Sequence, residues 1–107
     1  MSTPATASQA FKNVTSAGTE EAIGASTTRF NKIVFLAKKS QGVENTGNVL
    51  IRPAGSTPFD VLAPGEEILW EAPNGSHYTL ATFEVDAATS GDGVLYKTGS
   101  AIVYDGP

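Results

Sequence analysis

A chain of 107 residues, 40% hydrophobic and 17% charged, suits one domain with a real core, and 11 Gly with 6 Pro favour many turns over long helices. A net charge of −4 with only seven Lys and Arg argues against a nucleic-acid partner, because phosphate neutralisation needs clustered cations. The absence of cysteine excludes a disulfide framework and a thiolate zinc site, and with no basic start and no apolar run near the roughly 20 residues of a bilayer span, neither a signal peptide nor a membrane segment is expected.

Residues 1–9 hold only uncharged residues, mostly Ser, Thr, Ala and Pro, a composition that cannot offset its own ordering entropy. They are expected to form an extended arm ahead of a domain at 10–107. Residues 11–15 alternate Phe11, Asn13, Thr15 against Lys12 and Val14, which predicts a first strand. Residues 20–23 predict a second short strand, although Thr19-Glu20-Glu21-Ala22 also fits a helix start with acids at the positive dipole end. The strongest apolar run, 30–38, predicts a central strand with Ile33, Phe35 and Ala37 on one face and Val34 and Leu36 on the other. Residues 38–42 then read as a polar turn, in which Lys38-Lys39 is solvated rather than an anion site.

The chain is organised around residues 48–70, three short apolar runs separated by turn residues. Val49 and Ile51 share one side of the first run and Leu50 takes the other. Phe59 and Val61, then Ile68 and Trp70, flank Ala63-Pro64-Gly65, whose Pro-Gly pair suits the centre of a type II turn and predicts a hairpin. Residues 72–77 form a loop containing Asn74-Gly75, and 78–85 predict a strand with Phe83 and Val85 on one face. A turn-rich connection over 86–93 leads to strands at 94–96 and 101–104. The expectation is all-β: a single antiparallel β-sandwich or jelly-roll-like domain of seven to eight short strands. Its predicted core is Ile33, Phe35, Val49, Ile51, Val61, Ile68, Phe83 and Val94.

Few residues suggest chemistry. Asp86 and Asp92 with their glycines resemble a calcium loop only superficially, lacking the alternate-position ligands and distal Glu, and read as turn-formers. Glu66, Glu67 and Glu71 supply carboxylates but no implied pocket, so a solvated face is the simpler reading. His77, the one histidine, sits beside Ser76, and neighbours in sequence rarely meet as nucleophile and base. Trp70, Tyr78 and Tyr96 suit either a sugar-stacking platform or ordinary packing, the latter being commoner. Asn13-Val14-Thr15 and Asn74-Gly75-Ser76 match the glycosylation pattern without a secretory signal to give it meaning.

The series ENTGNVLIRP, FDVLAPGEEILWEAP and VDAATSGDGVLY resembles small virion proteins of tailed bacteriophages, which carry an N-T-G-N-V-type strand start, an L-x-P-G-E turn and a V-D-A-x-T-x-G-D-G-V ending. The matching positions are 45–49, 62–66 and 85–94, the likeness covers about residues 10–104, and the chain departs from it at 97–107. The resemblance implies a non-enzymatic β-sandwich module without cofactor or metal, lying on the outside of the head as a decoration (cement) protein or head-fibre base, or in the tail. Its implied partner is the major capsid protein. A homotrimer is expected because a three-fold assembly matches three-fold positions of an icosahedral shell. Thr3, Pro4 and Phe11 are the expected capsid contacts: Pro4 restricts the arm before binding, and Phe11 either fills an apolar recess or belongs to the domain's own core. The alternatives are a carbohydrate-binding module built on Trp70 and, more remotely, an enzyme using Glu66, Glu67, Asp86 or Asp92.

Overall fold

The computed structural model describes residues 2–3, 7–55, 58–73, 75–99 and 103–104. In chain order the strands are β1 (Ser2–Thr3), β2 (Ala7–Asn13), β3 (Glu21–Ala22), β4 (Lys32–Leu36), β5 (Lys38–Ser40), β6 (Val43–Glu44), β7 (Val49–Pro53), β8 (Asp60–Leu62), β9 (Glu67–Glu71), β10 (Phe83–Ala87), β11 (Gly93–Gly99) and β12 (Val103–Tyr104). A single 3-10 turn, Leu80–Thr82, precedes β10 among the described residues.

Eight of these strands make two antiparallel four-stranded sheets, ordered β2-β11-β4-β9 and β3-β10-β7-β8. Opposed residues of an antiparallel pair share a face, so the registers fix what points inward. Phe35 opposite Ile68 and Tyr96, and Ile33 opposite Trp70, line the first sheet. Phe83, Val85 and Ala87 opposite Pro53, Ile51 and Val49 line the second. Between the sheets the Phe35 and Phe83 rings meet edge-on at 5.3 Å, and Trp70 meets Phe83 at 5.5 Å. Val14, Ile23, Phe30 and Leu62 close the same core from its margins. All-β and sandwich-like, the fold is the class that the alternation and turn spacing predict.

The chain crosses between the sheets at almost every connection, and only β7 and β8 are consecutive within one of them. For that reason the hairpin expected around Ala63-Pro64-Gly65 does not form. The turn itself is present, with Gly65 at φ 86° and a Glu66 N–H to Ala63 O bond of 2.9 Å. It carries the chain from β8 in one sheet to β9 in the other. The same corner is pinned to Ala37, whose N–H donates to Glu66 O at 2.8 Å while its carbonyl accepts from Gly65 N–H at 2.9 Å.

Several boundaries and one core residue differ from expectation. The strand expected over 11–15 is β2, which begins at Ala7, inside the stretch read as an arm, because it pairs along its whole length with β11, Ala7 opposite Gly99 and Asn13 opposite Gly93. Residues 38–44 are a β5-β6 hairpin around Gly42 at φ 73°, not a plain turn. The strand expected over 78–85 is confined to Phe83–Ala87, with Tyr78 held by a lone bridge to Phe30. Val61 is 54% exposed rather than in the core: Leu62 lies opposite Val49 on the inner face, which turns Val61, opposite Leu50, outward. Ile68 is half-buried at the core's edge.

Truncating Phe35, fully buried against Phe83, to Ala should cost about 3–5 kcal/mol, read as a lower denaturation midpoint. Val61→Ala should stay within about 0.5 kcal/mol of the parent. A midpoint that moves more for Val61 than for Phe35 would contradict this core.

Candidate functional site

Segments 45–49, 62–66 and 85–94 converge at one end of the sandwich. Asn45 and Asp92 are both buried polar residues, at 6% and 0% exposure. The Asn45 side chain behaves as a piece of β-ladder toward Gly93, its Nδ2 donating to Gly93 O at 2.8 Å and its Oδ1 accepting from Gly93 N–H at 3.1 Å. Thr46 N–H donates to both Asp92 oxygens at 3.0 Å, and Gly47 N–H to Oδ2 at 2.8 Å. Lys39 Nζ stands 3.6 Å from Asp92 Oδ1 and donates to Thr46 Oγ1 at 3.3 Å. Lys39 is therefore engaged with a buried carboxylate instead of lying in a solvated turn. The Pro64-Gly65 corner closes the group, since a Cβ on Gly65 would come within 3.1 Å of Glu44 Oε2.

Gly93 is needed for contact rather than for its backbone angle. A Cβ there would collide with Lys12 O and lie 2.6 Å from Asn13 Cα, forcing β2 off β11.

The other carboxylates also organise backbone. Glu66 Oε1 accepts from Ala63 N–H at 2.6 Å, and Asp86 Oδ1 accepts from Gly18 and Ala87 N–H at 2.9 and 2.7 Å. Glu21 accepts from Lys12 Nζ and Thr15 N–H, both at 2.8 Å, and ties the edge of one sheet to the edge of the other. Glu67, Glu71, Ser76 and His77 are exposed. Among the described residues no three His, Asp or Glu side chains are grouped to hold a metal. Trp70 and Tyr78 do not form an open platform, because both rings pack edge-on against Phe83, at 5.5 and 5.0 Å.

The outward face of the first sheet has a different character. Its register places Phe11, Leu95, Leu36 and Glu67 in one row across the strands, with Gln9, Lys97, Val34 and Leu69 in the next. Phe11, Leu95, Leu36, Val34 and Leu69 make a diagonal apolar stripe from one sheet edge to the other. Its ends are open, Phe11 at 37% and Leu69 at 51% exposure, while Val34 and Leu36 are half-buried and Leu95 is buried at 7%. Phe11 thus belongs to this face and not to the core. Of the other two residues expected to contact a capsid, Thr3 lies in β1, its backbone opposite Val103 of β12, and Pro4 lies outside the described residues.

No family model, curated protein or solved structure matches this chain. The apolar face and its buried polar support therefore carry the functional reading. Sequence patterning showed the alternation within β4 but not the stripe, which exists only once β2, β11, β4 and β9 are brought side by side.

Burial pushes the Asp92 carboxyl up, but the Thr46 and Gly47 N–H groups and the Lys39 ammonium outweigh it and hold the group below its ordinary 3.8. The Lys12 ammonium, with Thr15 N–H, likewise holds Glu21 below 4.5. A depressed carboxylate stabilises the fold fully above its unfolded value and loses that contribution as pH falls through the folded value. Stability should accordingly decline below about pH 4, and Asp92→Asn should flatten that decline. Asp92→Ala, which leaves the Thr46 and Gly47 donors without their acceptor, should cost about 3 kcal/mol at neutral pH. Denaturant titrations across pH test both, and an acid limb unchanged in Asp92→Asn would refute the assignment.

Proposed function

We propose that this chain is a non-enzymatic structural protein of a tailed-bacteriophage virion, a decoration (cement) protein that binds the major capsid protein on the outside of the head and stabilises the shell as a homotrimer. The observation that carries the reading is the apolar stripe on the outer face of the first sheet, a surface suited to protein contact. Two features support it. The three segments that resemble phage virion proteins form one connected unit around Asp92 and Ala37. Of the acids that would serve an enzyme, Glu66, Asp86 and Asp92 accept hydrogen bonds from backbone N–H groups, and Glu67 is exposed.

The test is addition of purified protein to shells that lack it, from the phage whose genome encodes it. Saturable occupancy with a raised shell melting temperature is expected. Removing residues 1–6, which leaves Ala7–Asn13 whole, should lower occupancy if Thr3 and Pro4 make capsid contacts. Full-length protein that never binds shells would sink the decoration role. Glycan binding that disappears in Trp70→Ala with the fold intact would replace it with a carbohydrate-binding module.

A further inference from the structure

Alternate residues of an antiparallel strand turn their backbone N–H and C=O groups to opposite sides. On β2 the phase is set by Val14, whose N–H donates to Asp92 O at 2.8 Å. Even-numbered β2 residues therefore bond to β11, and Gln9, Phe11 and Asn13 direct their backbone groups away from the sheet. On β9 the phase is set at both ends, by Ala37 N–H to Glu66 O and Ala72 N–H to Asn31 O, each 2.8 Å. Even-numbered β9 residues bond to β4, and Glu67, Leu69 and Glu71 direct theirs outward, where the Glu71 carbonyl accepts from Tyr78 Oη at 3.0 Å and the pairing groups are those of Glu67 and Leu69. Both strands are edges of one sheet and run antiparallel to each other. At both edges the residues with outward backbone groups also place their side chains on the apolar outer face.

The two edges match residue by residue. Set antiparallel, Asn13 meets Glu67, Phe11 meets Leu69 and Gln9 meets Glu71. Carboxamide donors thus face both carboxylates, and two of the four exposed large apolar side chains among the described residues face each other. Self-pairing of either edge fits less well. Two β9 strands centred on Leu69 would oppose Glu67 to Glu71, like charge to like, and two β2 strands would leave Leu69 uncovered.

We propose that β2 of one copy pairs with β9 of a second copy in this register, extending the sheet from subunit to subunit and joining their apolar stripes through Phe11 and Leu69. The contact is heterologous, so repetition closes into a ring when the rotation per subunit permits. A ring of three rests on the decoration role proposed above; the edge-to-edge contact does not. Cross-strand partners at a hydrogen-bonded level lie about 5.5 Å apart between Cα atoms, within the span of a disulfide.

The chain has no cysteine, so engineered thiols report the contact alone. The full-length Phe11→Cys/Leu69→Cys double variant, oxidised and run without reductant, should crosslink into species up to three times the 11.1 kDa chain. An equal mixture of the two single variants should give a crosslinked pair, and each single variant alone should give almost none. Phe11→Asp should reduce the native mass by light scattering to that of one chain, with circular dichroism unchanged. Crosslinking of Phe11→Cys alone as fast as the double variant would overturn the proposal in favour of β2-to-β2 pairing, and a native protein of one-chain mass at high concentration would overturn it outright. Protein that fills shells yet fails to crosslink rejects the edge contact while leaving the decoration role standing. Protein that crosslinks as expected but does not bind shells does the reverse.

Discussion

A buried carboxylate with backbone donors on one side and an ammonium on the other fixes the geometry of one end of this domain. Asp92 is fully enclosed, and a charge in that position is tolerable only because Thr46, Gly47 and Lys39 surround it. Those partners come from β5 and from the loop ahead of β7, while Asp92 itself leads into β11. One ionised group thereby holds together segments from both sheets. Asn45 repeats the arrangement in neutral form beside it, completing the ladder at Gly93 where β2 and β11 begin to pair.

The two outward faces of the sandwich handle water differently. On the second sheet Arg52 bonds Glu84 at 2.6 Å, reaches Glu20 at 3.2 Å and lies 4.0 Å from the centre of the Phe59 ring. The Arg52 head there covers the apolar ring of Phe59, while Val61 on the same face stays 54% exposed. The first sheet buries Leu95 in the middle of its stripe and leaves the two ends, at the sheet edges, open. Its charges, Lys32, Lys97, Glu67 and Glu71, flank the stripe and leave Phe11 and Leu69 open. The difference lies in which residues sit at outward register positions, not in the overall composition of the chain.

Much of the architecture is legible in the sequence, and the reasons are local. The two-residue alternation through Ile33, Phe35 and Ala37 is decisive because all three are fully buried. Pro64-Gly65 encodes its turn because only glycine readily takes the φ of 86° required. The path of the chain beyond that turn is not encoded there, since the same corner serves a hairpin or a crossing between sheets, and the bonds to Ala37 that decide it come from far along the chain. Val61 shows the same limit at the scale of one residue, because choosing between Val61 and Leu62 as the inward position needs the partner strand's register. Asp92 reads as a turn-former from its glycine neighbours, and its bonds to Thr46 and Gly47 could not be foreseen from spacing. The apolar face was hidden for the same reason, its members being scattered over four strands.

The pairing of β2 with β11 has a consequence for how the chain acquires its structure during synthesis. As the chain leaves the ribosome, β2 finds its neighbour only when β11, made after every other strand of the two four-stranded sheets, has emerged. Until then β4 lacks a partner on one side, and the apolar residues of the first sheet wait in the nascent chain. A nucleus built early can draw on the sequential pairs β7-β8 and β5-β6, and β4 can pair with β9 once β9 has emerged, but the first sheet is completed only when β11 arrives. Of the strands of the two four-stranded sheets, β2 is made before the rest and is among the last to be fixed in place.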